Sequence, residues 1–133
     1  MNYCPIMKKI IIAFICLVLL CGCGKEEVEE KTPVANVNKI TCADVNGLVS
    51  EGAIVIDVRT PDEYNTDHIE NAINIDSSQI KYAIKGKVSD LETKIIVYCQ
   101  SGRRSAESAK ILTELGYKNV YDMGSITDCY GEE

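Results

Sequence analysis

Apolar positions along this chain follow two different periods. Ala53-Ile54-Val55-Ile56-Asp57-Val58 and Lys94-Ile95-Ile96-Val97-Tyr98 are short, β-branched and almost continuously apolar. Strands of that kind are buried on both faces, as in parallel sheets. Ala72-Ile73-Asn74-Ile75 and Asn119-Val120-Tyr121 are shorter candidates, and Lys39-Ile40 reads as an edge strand. Helical segments fall between these runs. Thr41 is placed to cap a helix over residues 42–50, and Thr60-Pro61-Asp62-Glu63 is a capping box with proline at the first helical position. A third helix is expected from Ser77 or Ser78 to about Ile84. A fourth, over residues 105–115, puts Ser108, Ile111, Leu112 and Leu115 on one face and stops at Gly116. Alternating strands and helices predict a small α/β fold with a mainly parallel sheet. Ligands of such sheets bind beyond the C-terminal strand ends, and Cys99 sits directly after one of them.

The chain opens on a different pattern. Met7-Lys8-Lys9 is basic, and residues 10–20 are an unbroken apolar run. That run is well short of the ~20 residues that span a bilayer and suits a signal-peptide core. It ends in Leu20-Cys21-Gly22-Cys23, which resembles a bacterial lipobox. Gly22 is the small residue expected before a lipidated cysteine, whereas Leu20 fits poorly before Cys21. Residues 1–22 are therefore expected to be a lipoprotein signal peptide, with Met7 as an alternative start, and Cys23 the lipidation site. An uncleaved anchor helix is the competing reading. Both put the folded part outside the cytoplasm, anchored at a cell membrane; lipidation would supply more than one acyl chain, as stable anchoring requires. Residues 23–37, charged and without apolar period, read as a disordered acidic tether. Residues 38–133 are left for one domain.

Composition narrows the partners. Lys and Arg number 14 against 20 Asp and Glu, a net charge of −6, and no basic stripe is present, which argues against nucleic acid. Trp is absent and Phe14 lies in the leader, so aliphatic residues and tyrosines must build the core. Of seven cysteines, Cys4, Cys16 and Cys21 leave with the leader and Cys23 takes the lipid. Cys42, Cys99 and Cys129 remain. An oxidising compartment allows a Cys42–Cys129 bridge, and zinc-ligand spacing is missing.

Cys99-Gln100-Ser101-Gly102-Arg103-Arg104 carries the chemistry. Backbone N–H groups of a loop entering a helix favour negative charge. Two arginines add full charges, Gly102 lets the loop curl around a small anion, and Ser101 and Ser105 can donate. The arrangement reads as a nucleophilic thiolate with an anion-binding loop, and so as an enzyme.

The chain resembles the rhodanese-like domains. One motif runs Ile56-Asp57-Val58-Arg59-Thr60-Pro61-Asp62-Glu63-Tyr64, followed by His68-Ile69-Glu70-Asn71-Ala72-Ile73-Asn74-Ile75. The loop is Tyr98-Cys99-Gln100-Ser101-Gly102-Arg103-Arg104-Ser105, and the closing pattern runs from Leu115-Gly116-Tyr117 to Asp122-Met123-Gly124. The resemblance implies a rhodanese-like α/β fold with a five-stranded, mostly parallel sheet flanked by helices. It implies sulfurtransferase activity: Cys99 takes a sulfane sulfur from thiosulfate or a persulfide or polysulfide donor, becomes a persulfide, and passes the sulfur to cyanide or a thiol. Gln100, Ser101, Gly102, Arg103 and Arg104 would bind the substrate. Asp57, Arg59 and His68 would support the site, and no metal or organic cofactor is needed.

Other readings stay in view. Cysteine phosphatases use a loop one residue longer, which would put Ser105 at the position of the arginine. A cysteine protease would have to recruit His68, the only histidine. Cys99 could be a buried structural thiol, the domain could bind sulfide or an anion without turnover, or Cys129 could resolve an oxidised Cys99 in a thiol redox protein. The chain also departs from the family pattern. Asp67 and Asn71 stand where glycines are common, and both tolerate positive φ. Gly124-Ser125 replaces a Gly-Gly, and Cys129 takes the place of the usual nearby Trp.

Overall fold

The computed structural model describes residues 36–131; the expected signal peptide, Cys23 and most of the tether lie outside the described residues. Five strands form one sheet: β1 (Asn38–Lys39), β2 (Ile54–Asp57), β3 (Ile73–Asn74), β4 (Lys94–Cys99) and β5 (Asn119–Ser125). Their order is β1-β5-β4-β2-β3, and every pairing is parallel. The sheet is thus wholly parallel where the resemblance implies mostly parallel. Helices α1 (Cys42–Ser50), α2 (Pro61–Thr66), α3 (Ile80–Lys87) and α4 (Arg103–Glu114) separate the strands, and a single 3-10 turn, Ile126–Cys129, follows β5.

Alternation along β4 divides the core in two. Ile95, Val97 and Cys99 join Ile80 and Ile84 of α3 and Ala109 and Leu112 of α4 on one face. Ile96 and Tyr98 join Val45 of α1, Met123 and Ile126 on the other. Successive side chains on a strand point to opposite faces, so the continuously apolar β4 supplies both layers. Val37, assigned to the tether from sequence, packs against the first layer.

Several boundaries differ from the expected ones, each for a local reason. β5 runs past Tyr121 to Ser125, with a register shift opposite Val97 and Tyr98. The Asp122 side chain accepts from Gly124 N–H at 2.9 Å there, so a polar residue and a glycine sit inside a strand. α3 starts later than Ser77 or Ser78, because Asp76 takes the N–H groups of Ser78 and Gln79 into a turn. α4 starts at Arg103, two residues before Ser105, with Gly102 at its N-cap. On α4 the fully buried side chains are Ser105, Ser108, Ala109 and Leu112, while Ile111 and Leu115 pack at the margin. Of the two glycine replacements, Asn71 adopts φ +62°. Asp67 is extended at φ −168°, a conformation any residue takes.

Candidate active site

Cys99 is the last residue of β4 and is fully buried. Its Sγ accepts the backbone N–H of Gly102 at 3.1 Å and of Ser105 at 3.3 Å. Ser105 is the third residue of α4, and helix starts leave such N–H groups without intrahelical partners. A capping side chain normally accepts one of them. Gly102, the N-cap, has no side chain to do so, and the Cys99 sulfur takes that place. The Cys99 sulfur therefore occupies the anion position of a helix N-terminus.

Gly102 makes this possible. Its φ is +86°, a left-handed conformation that suits glycine. A Cβ there would lie 3.6 Å from Gly124 Cα, so the difficulty for another residue is conformational before it is steric. Ser105 Oγ donates to the Gly102 carbonyl at 3.0 Å, and Ser125 Oγ donates to the Gln100 carbonyl at 2.5 Å. The loop is tied on one side to its own helix and on the other to the end of β5.

Asp57 and Arg59 form the floor beside it. The buried Asp57 carboxylate accepts from Arg59 N–H, from Arg59 Nη2 at 2.8 Å, and from the Tyr98 hydroxyl at 2.7 Å. Tyr98 also accepts Ile69 N–H at 3.1 Å. Burial, with the Asp57 hydrogen bond, pushes the Tyr98 phenol well above its ordinary pKa, so it is a fixed donor. Arg59 reaches on from this pair to Gln100 Oε1 at 3.3 Å and to the Asp67 carbonyl. Asn74 Nδ2 clamps the carbonyls of both Asp57 and Arg59. Asp57 and Arg59 thus connect the 57–74 segment to the Cys99 loop through Gln100.

The two loop arginines part ways. Arg104 meets Glu63 in a two-bond ion pair, 2.8 Å at each contact. Glu63 also accepts from Thr60 N–H and Oγ1 in the capping box of α2. The Arg104 contact holds the Glu63 carboxyl down to a pKa of about 2, with the Thr60 hydrogen bonds assisting. Arg103 is exposed at the helix start and makes no ion pair among the described residues.

His68 contacts Tyr64, by Nδ1 to its carbonyl at 2.8 Å and by ring stacking at 3.8 Å; the structure does not bring it into hydrogen bonding with Cys99. Cys42 and Cys129 form a disulfide, and Cys99 is a free thiol. That corrects the reading of Cys129 as a resolving thiol for Cys99: Cys42 lies at a Cα–Cα distance of 5.3 Å and takes it.

A cleft of about 270 Å³ opens beside the loop, lined by Arg59, Glu63, Asp67, Gln100, Ile126, Thr127 and Tyr130 among others. The sequence pattern assigns Glu63 no role beyond its cap, and none to Tyr98, Asn74, Ser125 or Tyr130. For Glu63 the capping box is the available signal. For Tyr98, Asn74 and Ser125 there is none, since the site residues they bond lie 15 to 41 positions away in sequence.

Residues 41–128 match the family model described as the Rhodanese-like domain. Over 73 residues the chain is 40% identical to the thiosulfate sulfurtransferase PspE of Escherichia coli, covering 55% of this chain and 70% of that one. It is 30% identical over 90 residues to the thiosulfate sulfurtransferase GlpE of Pseudomonas entomophila, covering 68% and 81%. Among solved structures it is similar to an Escherichia coli rhodanese with anions, at 38% identity and TM-score 0.56, covering 58% of this chain and 91% of the other. A human single-domain sulfurtransferase shares the fold at TM-score 0.62 and 22% identity, covering 74% and 99%.

Proposed function

This chain belongs to the rhodanese-like domain family, and from that premise we propose that it is a sulfurtransferase carrying sulfane sulfur as a persulfide on Cys99. The observation that carries the reading is the pair of N–H groups, Gly102 and Ser105, aimed at Cys99 Sγ from a helix start.

In the first half-reaction the Cys99 thiolate attacks the outer sulfur of thiosulfate. A Cys99 S–S bond forms, the bond from that sulfur to the sulfonate sulfur breaks, and sulfite leaves with the electron pair. The loop N–H groups hold the anionic persulfide where they held the thiolate, so the cradle needs little reorganisation. In the second half-reaction cyanide or a thiolate attacks the outer sulfur. Thiocyanate or a new persulfide departs, and the Cys99 thiolate is restored. A persulfide or polysulfide donor enters by the same first step, with a thiolate leaving from a persulfide and the chain shortened by one sulfur leaving from a polysulfide. Arg103, exposed at the start of α4, supplies charge for an anionic donor. Arg104, with Glu63, ties the loop to α2 while its positive charge stays beside the sulfur. No step requires a metal or organic cofactor.

The N-terminal sequence pattern supports a location for this chemistry outside the cytoplasm, on a domain anchored to a membrane through lipid at Cys23. A thiosulfate:cyanide assay on the protein tests the catalytic reading. Thiocyanate should form with the wild type and not with Cys99→Ala. Equal inactivity of the two across thiosulfate, persulfide and polysulfide donors would leave a binding module that uses the same cradle for sulfide or another anion.

A further inference from the structure

The Cys42–Cys129 disulfide is remote from Cys99 in sequence, yet it ends on an element that belongs to the site. The 3-10 turn Ile126–Cys129 leaves β5 at Ser125, whose hydroxyl donates to the Gln100 carbonyl of the Cys99 loop. The same hydroxyl lies 2.6 Å from Thr127 Oγ1 and accepts Thr127 N–H at 3.2 Å. Ile126, Thr127 and Tyr130 form one wall of the cleft, with Arg59, Glu63 and Asp67 among its other lining residues.

Only part of this wall is held by the core. Ile126 is buried in the second core layer, but Tyr130 is 53% exposed. At its far end the turn is fixed by the covalent bond from Cys129 to Cys42, the first residue of α1, across 87 positions of sequence. α1 buries only Val45 fully, and it meets the turn in the second core layer, where Cys42, Leu48 and Cys129 pack around Val45 and Ile126.

We propose that the Cys42–Cys129 disulfide is a positioning element of the sulfur-transfer site, holding the 126–130 wall against the Cys99 loop. The proposal rests on the sulfurtransferase reading for its kinetic consequence, though not for its structural one. A dithiol reductant opens it: two electrons pass to the Cys42–Cys129 bond, the two sulfurs take up the reductant's two protons, and the reductant closes into its own cyclic disulfide. The wall then loses its covalent anchor, Ser125 and Gln100 are less firmly joined, and the cleft binds the donor less well. Chemistry at Cys99 is unchanged, because the Gly102 and Ser105 donors lie on the helix side of the loop.

Two preparations of the full chain in detergent test this against the oxidised wild type. One is the Cys42→Ser, Cys129→Ser double variant. The other is wild type reduced with dithiothreitol and desalted without oxygen. Both should raise the thiosulfate KM about threefold or more while kcat stays within about twofold. Both should also speed iodoacetamide labelling of the peptide carrying Cys99 by a similar factor, because a fully buried thiol reacts only through local opening. The labelling rate needs no turnover, so it decides the proposal even if the oxidised wild type forms no thiocyanate, which would count against the sulfurtransferase reading alone. KM and labelling rates within about twofold of the oxidised protein would overturn the proposal. So would loss of the whole fold on reduction, which would make the bridge a general staple; if only the double variant unfolds, the reduced wild type decides the proposal by the same two rates.

Discussion

Glu63 and Arg104 face each other across two 2.8 Å contacts, joining the first turn of α2 to the first turn of α4. One carboxylate closes a capping box and restrains the Cys99 loop. Its pKa falls from 4.5 to about 2 on folding, chiefly through the Arg104 hydrogen bonds. A depressed carboxyl stabilises the fold above its unfolded pKa and loses that contribution as pH falls through the folded one. Glu63→Gln should therefore cost on the order of 1 kcal/mol near neutral pH, after allowance for solvent screening of a partly exposed pair. Urea unfolding at several pH values checks it: the gap to wild type should be full above pH 4.5 and close as pH drops towards about 2. A gap independent of pH would show that the carboxylate charge is not what stabilises.

Gly102 should tolerate no side chain. Gly102→Ala leaves room for the Cβ at 3.6 Å from Gly124 Cα but forces alanine to φ +86°. The expected cost is about 1–2 kcal/mol. Because Gly102 N–H points at Cys99 Sγ, the shift should also lower kcat/KM about tenfold or more. Parallel unfolding curves and kinetics separate the two effects.

Tyr98→Phe removes a donor from Asp57 and an acceptor from Ile69 N–H in a buried setting. Leaving such groups unpaired costs about 1–3 kcal/mol, measurable by urea unfolding. Ser108→Ala should behave in the opposite way. The Ser108 hydroxyl is buried in α4 without a hydrogen-bond partner, and alanine is the better helix former, so the change should be neutral or stabilising by about 0.5–1 kcal/mol.

The proposed N-terminal anchor is testable independently of the fold. Palmitate incorporated into the full chain in a bacterial host should be lost in Cys23→Ser, and globomycin should block processing. Labelling that survives the substitution would remove Cys23 as the lipid site.

The strand pattern of the sheet centre is legible in the chain because β2 and β4 are buried on both faces, and such strands announce themselves as unbroken aliphatic runs. The Cys99 loop is legible for a related reason: residues 99–105 are contiguous, so spacing carries geometry. What spacing does not carry is pairing over distance. Nothing local to Tyr98 says that it donates to Asp57, and nothing near Ser125 says that it holds Gln100. Arg104 reads as a free anion-binding charge, because its ion-pair partner Glu63 lies 41 positions away. The end of β5 is obscured by Asp122 and Gly124, whose side chain and positive φ serve the register shift and break the apolar pattern. Asn71 shows the reverse case, a residue whose tolerance of positive φ can be read directly and is used.

The central claim is that Cys99 carries sulfur. Mass analysis of the intact protein and of the peptide containing Cys99, after thiosulfate and without reductant, tests it most directly. The account predicts a species roughly 32 Da heavier, one sulfur atom, confined to Cys99 and discharged by cyanide. A Cys99 that stays unmodified with every sulfur donor, or gains only oxygen or a disulfide, would contradict it.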